Sequence, residues 1–203
     1  MTYETILSKD RVYRYQLFRD VTNDPGECPF ANNDYVMFIG LNPSTADEKL
    51  DDATIRICRS YAQRWGMRKL CMANLFAYRE TNPKACFMAQ NPIGHSNDFY
   101  LLEMARGAGE IVCVWGRWGC MHDRDLKVIN LLSDYPLSVL KFNSDWSPHH
   151  PLRMQTVAAP VHWLDPDRGD MTRDDIEERA QLAPLPLPAP EKFRNPYANS
   201  IPC

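Results

Sequence analysis

Four short apolar runs constrain this chain more than anything else in it: Tyr35–Leu41, Lys69–Leu75, Glu110–Trp115 and Leu137–Phe142. A strand with water on one face alternates apolar and polar residues. A continuous run signals burial on both faces, the condition of strands inside a parallel sheet. Helical patterns separate the runs. Over residues 52–65, Ile55, Cys58, Tyr61, Ala62 and Trp65 form a stripe at spacings of three and four, and Asp51 or Asp52 can cap it. Arg56, Arg59 and Arg64 fall largely off that stripe. Residues 96–106 and 122–133 read as two further helices.

Strand and helix alternating in this way predict an α/β fold. The expected form is a three-layer sandwich with a central four-stranded, mostly parallel sheet and right-handed crossovers. Outside that core, residues 12–21 read as an aromatic-rich strand, Val161–Leu164 as a short strand and 172–181 as a short helix. A long loop carrying Asn82-Pro83 and Asn91-Pro92 follows the second run. The expected organisation is a single domain over 1–183, with its core at 35–152, and a proline-rich tail over 184–203.

Composition excludes several classes. No apolar run approaches the ~20 residues a membrane span needs. The first ten residues contain acids and no long apolar stretch, so they do not read as a secretory signal. Seven scattered cysteines, with no C-x-x-C pair, argue against a disulfide framework or a zinc site and for a reducing, cytosolic setting. A net charge of −3 argues against a generic nucleic-acid coat but leaves room for a local basic groove.

In open parallel sheets ligands bind beyond the carboxyl ends of the strands. That rule singles out 41–47, 74–81, 115–119 and 143–151. The first segment, Gly40-Leu41-Asn42-Pro43-Ser44-Thr45-Ala46-Asp47, combines a close-approach glycine with an amide, a stiff turn and hydroxyls. It suits a ligand, and it equally suits a capped strand-to-helix connection. It is not a phosphate-binding P-loop, which ends in Gly-Lys. Asn74 ends the second run; its amide can satisfy backbone or read a pyrimidine edge. Phe76, Arg79 and Thr81 follow it, and Arg79 is either solvated or a phosphate ligand. Trp115-Gly116-Arg117-Trp118 ends the third run; Trp115 reads first as a core lid, with base stacking as the other role. Pro148-His149-His150-Pro151 follows the fourth. A His held between prolines can donate a hydrogen bond to developing negative charge, although a surface His pair has the same sequence. The acids Asp47, Glu48, Asp51 and Asp52 read as helix-capping and solvated, with one free to serve as a general base. No metal site or cofactor is expected.

Taken together these motifs resemble the uracil-DNA glycosylase superfamily over about residues 35–152. Gly40-Leu41-Asn42-Pro43 is similar to its Gly-x-(Asp/Asn/Glu)-Pro loop, Asn74 to its uracil-reading Asn, Val114-Trp115-Gly116 to its Leu-Trp-Gly strand end, and His150-Pro151 to its late His-Pro-Ser loop. The chain is closer still to an uncharacterised bacterial and phage family, domain of unknown function 1643. That family has similar motifs at Leu41–Asp47, Asp51–Arg56, Asn74–Pro83 and His150–Leu152.

The resemblance implies a cytoplasmic, DNA-acting enzyme that takes a flipped or single-stranded pyrimidine. In it Asn42, His150 and Asp47 are the catalytic candidates. Gly40, Leu41, Pro43, Ser44, Thr45, Asn74, Phe76, Arg79, Trp115, Gly116 and His149 would form the binding surface. Leu152 replaces the family's small hydroxyl residue, Asn42 replaces the water-activating Asp of its most active branch, and its DNA wedge is not recognisable. Two alternatives therefore stand beside base excision. One is a transferase adding a group such as an amino acid to an activated 5-hydroxymethylpyrimidine in phage-type DNA. The other is a non-catalytic nucleic-acid or nucleotide binder.

Overall fold

The structure is a computed structural model that describes residues 5–21, 35–44, 51–154 and 159–164. The chain divides into two units, Met1–Met171 and Thr172–Cys203, and every described residue belongs to the first. Thr45, Asp47, the expected 172–181 helix and the proline-rich tail lie outside the described residues.

The first unit is α/β. Strands β1 (Ile6–Leu7), β2 (Arg14–Asp20), β3 (Tyr35–Gly40), β4 (Lys69–Asn74), β5 (Glu110–Cys113), β6 (Leu137–Val139) and β7 (Val161–Leu164) form one sheet. Their order is β1-β2-β4-β3-β5-β6-β7. The expectation of four strands is corrected to seven in a mixed sheet. β4, β3, β5 and β6 run parallel, while β2 joins β4 and β7 joins β6 antiparallel. The four apolar runs coincide with the parallel strands, whereas β2 is buried over Arg14–Phe18 with polar Arg14 and Gln16 among its residues. The flanking strands add one neighbour each, and their mixed sequences carry no such mark.

All six residues of β3 are buried. Val36 and Phe38 pack with Leu70 and Met72 against Ile55, Cys58, Tyr61 and Ala62 of helix α1 (Ala53–Arg64). On the opposite face the Tyr35 hydroxyl donates to the Met104 carbonyl, 2.6 Å away, in helix α3 (Asn97–Gly107). Each large side chain so buried contributes about 1.5–3 kcal/mol. The arginines off the stripe of α1 are exposed or half-buried, as a one-sided helix requires.

Two helical expectations change. The loop after β4 contains a short helix, α2 (Pro83–Met88). Six residues cannot display a stripe, but Asn82 caps the Lys84 N–H and Pro83 occupies the first helical position. The 122–133 helix begins later, as α4 (Arg124–Leu131), after a 3₁₀ segment over Arg117–Asp123. Among the described residues no helix is long and apolar enough to cross a membrane.

Candidate functional site

The loops after β3 and β4 are zipped together. Leu75 and Phe76 donate backbone N–H groups to the carbonyls of Gly40 and Leu41, both at 2.9 Å. Glu80 donates to Pro43 at 2.9 Å, and the Asn42 side-chain amide returns a bond to the Glu80 carbonyl at 2.5 Å. Asn42 is therefore a staple between the loops through its Nδ2. Its Oδ1 makes no hydrogen bond among the described residues, so it remains an acceptor able to hold a water or a substrate N–H.

Asn74 stands beside this staple, in register with Gly40 on the adjacent parallel strand. It is 4% exposed, and its Nδ2 has no hydrogen-bond partner. Orphaning a buried amide costs about 1–3 kcal/mol, which a ligand acceptor would recover. Its Oδ1 lies where a Cβ on Gly40 would come within 2.9 Å, so glycine is needed there for space. Two residues that the motifs do not mark hold the strand end in place. Asn97 donates to the carbonyls of Asn74 and Leu75 at 3.0 Å each. Arg124, 2% exposed, donates from Nε to the Leu75 carbonyl at 2.8 Å and pairs with Asp98. No periodicity marks Asn97 or Arg124, because their partners lie 22 and 49 residues away.

His150 approaches from the other side. A Cβ on Gly116, which has φ of +73°, would lie 3.8 Å from the His150 Cβ, so this turn lies directly against the histidine. The His150 Nδ1 accepts the Leu152 N–H at 3.3 Å. The neutral ring therefore carries its proton on Nε2, as a donor. Burial, then Arg153, lowers its pKa to about 4, with His149 acting the same way and Asp52 opposing. At neutral pH it is an uncharged hydrogen-bond donor. The loop before it is pinned by His149 N–H to the Lys141 carbonyl at 2.8 Å and by Asn143 to Ser147. His149 itself turns its Nδ1 to the His150 carbonyl at 3.1 Å.

Between the two halves sits the start of α1. The Asp52 Oδ1 caps the Ile55 N–H at 2.8 Å, and its Oδ2 accepts the Ser44 hydroxyl at 3.2 Å. Asp51, expected to be solvated, instead pairs with Arg19 at 2.7 Å and Arg59 at 2.8 Å. Burial raises its pKa, but the two arginines outweigh that and hold it below the usual carboxylate value.

The side chains of the remaining candidates serve packing or tethering. Phe76 is fully buried and packs with Phe87 and His122. Trp115 is 2% exposed, and its ring occupies the place where a Cβ on Gly119 would fall, 2.1 Å from Cδ1. Its other ring contact is Trp163, which fits the core-lid role. One Arg79 nitrogen donates to the Arg11 carbonyl at 2.9 Å, tying this loop to the β1–β2 connection. Among the described residues no cluster of three or more His, Cys, Asp or Glu could hold a metal ion.

Arg14 is the residue that the motifs missed altogether. β2 runs antiparallel to β4, so the amino end of β2 meets the carboxyl end of β4, and the Arg14 N–H donates to the Ala77 carbonyl at 2.9 Å. One step along β1 spans two residues of β2, from Arg14 to Gln16, an irregularity that re-aims side chains at this end. In sequence Arg14 is one polar residue of a mixed strand. Only the antiparallel pairing brings it to the edge that carries Asn74.

Residues 14–152, about two thirds of the chain, match the protein family described as "Protein of unknown function (DUF1643)", and the chain belongs to that family. No curated protein and no solved structure matches it.

Proposed function

We propose that this member of the family is an enzyme acting on a pyrimidine base in DNA, presented flipped or single-stranded at the edge between β4, β3 and β5. One observation carries the reading: the buried Asn74 amide, held by Asn97 and Arg124, has an unpartnered Nδ2. A base edge with a carbonyl acceptor is the chemistry that completes it. His150, neutral with its proton on Nε2, then stabilises negative charge on the reacting or departing base. The Asn42 Oδ1 orients a water or another nucleophile. In the glycosylase form, the base leaves as an anion while the sugar carbon gains oxocarbenium character.

A second reading is group transfer to an activated 5-hydroxymethylpyrimidine, with the base–sugar bond kept. The residue at position 42 favours it. Asn42 is not an acid, so it cannot itself deprotonate a water. The test for both is to incubate the full chain with DNAs containing uracil, 5-hydroxymethyluracil and its phosphorylated form, with and without amino acids. Mass spectrometry of the nucleosides then decides. A free base supports excision, a heavier intact nucleoside supports transfer, and unchanged nucleosides throughout remove the enzymatic reading.

A further inference from the structure

We infer that the amino end of β2 carries an oxyanion subsite in which Arg14, together with the first turn of α1, takes a phosphoryl group. Arg14 is 5% exposed, and its Nε has no hydrogen-bond partner. Among the described residues its guanidinium makes no side-chain hydrogen bond or ion pair at all. A guanidinium has five donors in a planar fork and cannot be neutralised cheaply. Burial, opposed by Asp52 and reinforced by Arg79 and Arg19, draws its pKa down only to about 10, so the charge stays at neutral pH. A buried, charged and unbonded fork is costly unless something arrives to fill it.

The surroundings indicate what arrives. Asp52 lies within electrostatic reach of Arg14 but not at ion-pair distance, and its two oxygens serve Ile55 and Ser44. The charge of Asp51 is balanced by Arg19 and Arg59. Asp52, the cap of α1, is within electrostatic reach of both Arg14 and His150. α1 has twelve residues and no acid in its first turn, and the Ala53 and Thr54 N–H groups have no acceptor within the helix. Helix donors and an arginine fork arriving from a different strand suit a tetrahedral oxyanion better than a two-oxygen carboxylate.

The sheet order β2-β4-β3 puts Asn74 between Arg14 and Gly40. A nucleotide whose base meets Asn74 reaches Arg14 with a phosphoryl group. That identification rests on the base-binding reading above; the oxyanion subsite does not. The phosphoryl source is either a terminal phosphate or a backbone diester.

The test is calorimetry on the full chain at low ionic strength, with inorganic phosphate, pyrophosphate, thymidine, thymidine 5′-monophosphate and the dinucleotide TpT. Arginine Nε–H resonances are followed by NMR in parallel. Phosphate and pyrophosphate should bind and shift the Arg14 Nε–H, and Arg14→Gln should weaken them by about tenfold or more. Arg14→Lys, which keeps the charge and assigns the resonance if the glutamine variant does not fold, should recover only part of the affinity. No heat and no shift up to about 10 mM phosphate, or equal binding by the variants, overturns the subsite. Tighter binding of the monophosphate than of TpT identifies a terminal phosphate as the source, and the reverse identifies a backbone diester. A monophosphate that binds no better than phosphate, and is unaffected by Asn74→Ala, overturns the base reading while leaving the oxyanion subsite intact.

Discussion

His150 shows how one side chain can be set by its surroundings. Its ordinary pKa of 6.5 falls to about 4, chiefly through burial. Between those values the unfolded chain binds a proton that the folded chain refuses. The group's contribution to stability is therefore complete above about pH 6.5 and is lost as pH falls toward 4, by no more than about 3 kcal/mol. Urea midpoints across that window should slope upward with pH, and His150→Asn should flatten the slope. The same substitution should lower turnover by about two to four powers of ten if the neutral donor faces developing charge. An unchanged rate would take His150 out of the mechanism.

At the scale of elements, the site depends on how closely β3 and β4 approach at their carboxyl ends. Gly40→Ala would place a methyl group 2.9 Å from the Asn74 Oδ1, and one of the two must move. The expected loss is about 1–3 kcal/mol of stability, read by denaturant melts, with a larger loss in base binding. Arg124 acts on the same strand end from α4, through the Leu75 carbonyl. Arg124→Met should cost about 1–3 kcal/mol and raise KM more than it lowers kcat, since Leu75 keeps its bond from Asn97. An unaltered KM would show that this clamp does not position Asn74.

For the whole molecule, a net charge of −3 sits beside a strand end that carries the buried Arg14. Binding should rest on Asn74 and one or two phosphate contacts rather than on a broad basic surface. The logarithm of affinity for single-stranded DNA should then fall against the logarithm of salt with a slope of about −1 to −2. A slope several times steeper would point to an extended electrostatic interface. The sheet's edge strands are short, two residues in β1 and four in β7, which limits the unpaired backbone that they present.

The apolar runs by themselves determined the α/β class and the four parallel strands, because burial on both faces leaves a local and continuous mark. They also located the loop over Gly40–Ser44 and the His150-Pro151 turn, since strand ends can be counted along a chain. Strand pairing leaves no such mark. That β2 lies antiparallel beside β4, that Arg14 therefore reaches the edge of Asn74, and that Asn97 and Arg124 hold the Leu75 carbonyl were decided by tertiary structure alone. The reason is physical: a hydrogen bond or a buried charge between residues dozens of positions apart constrains each partner's chemistry without imposing any spacing on the sequence between them.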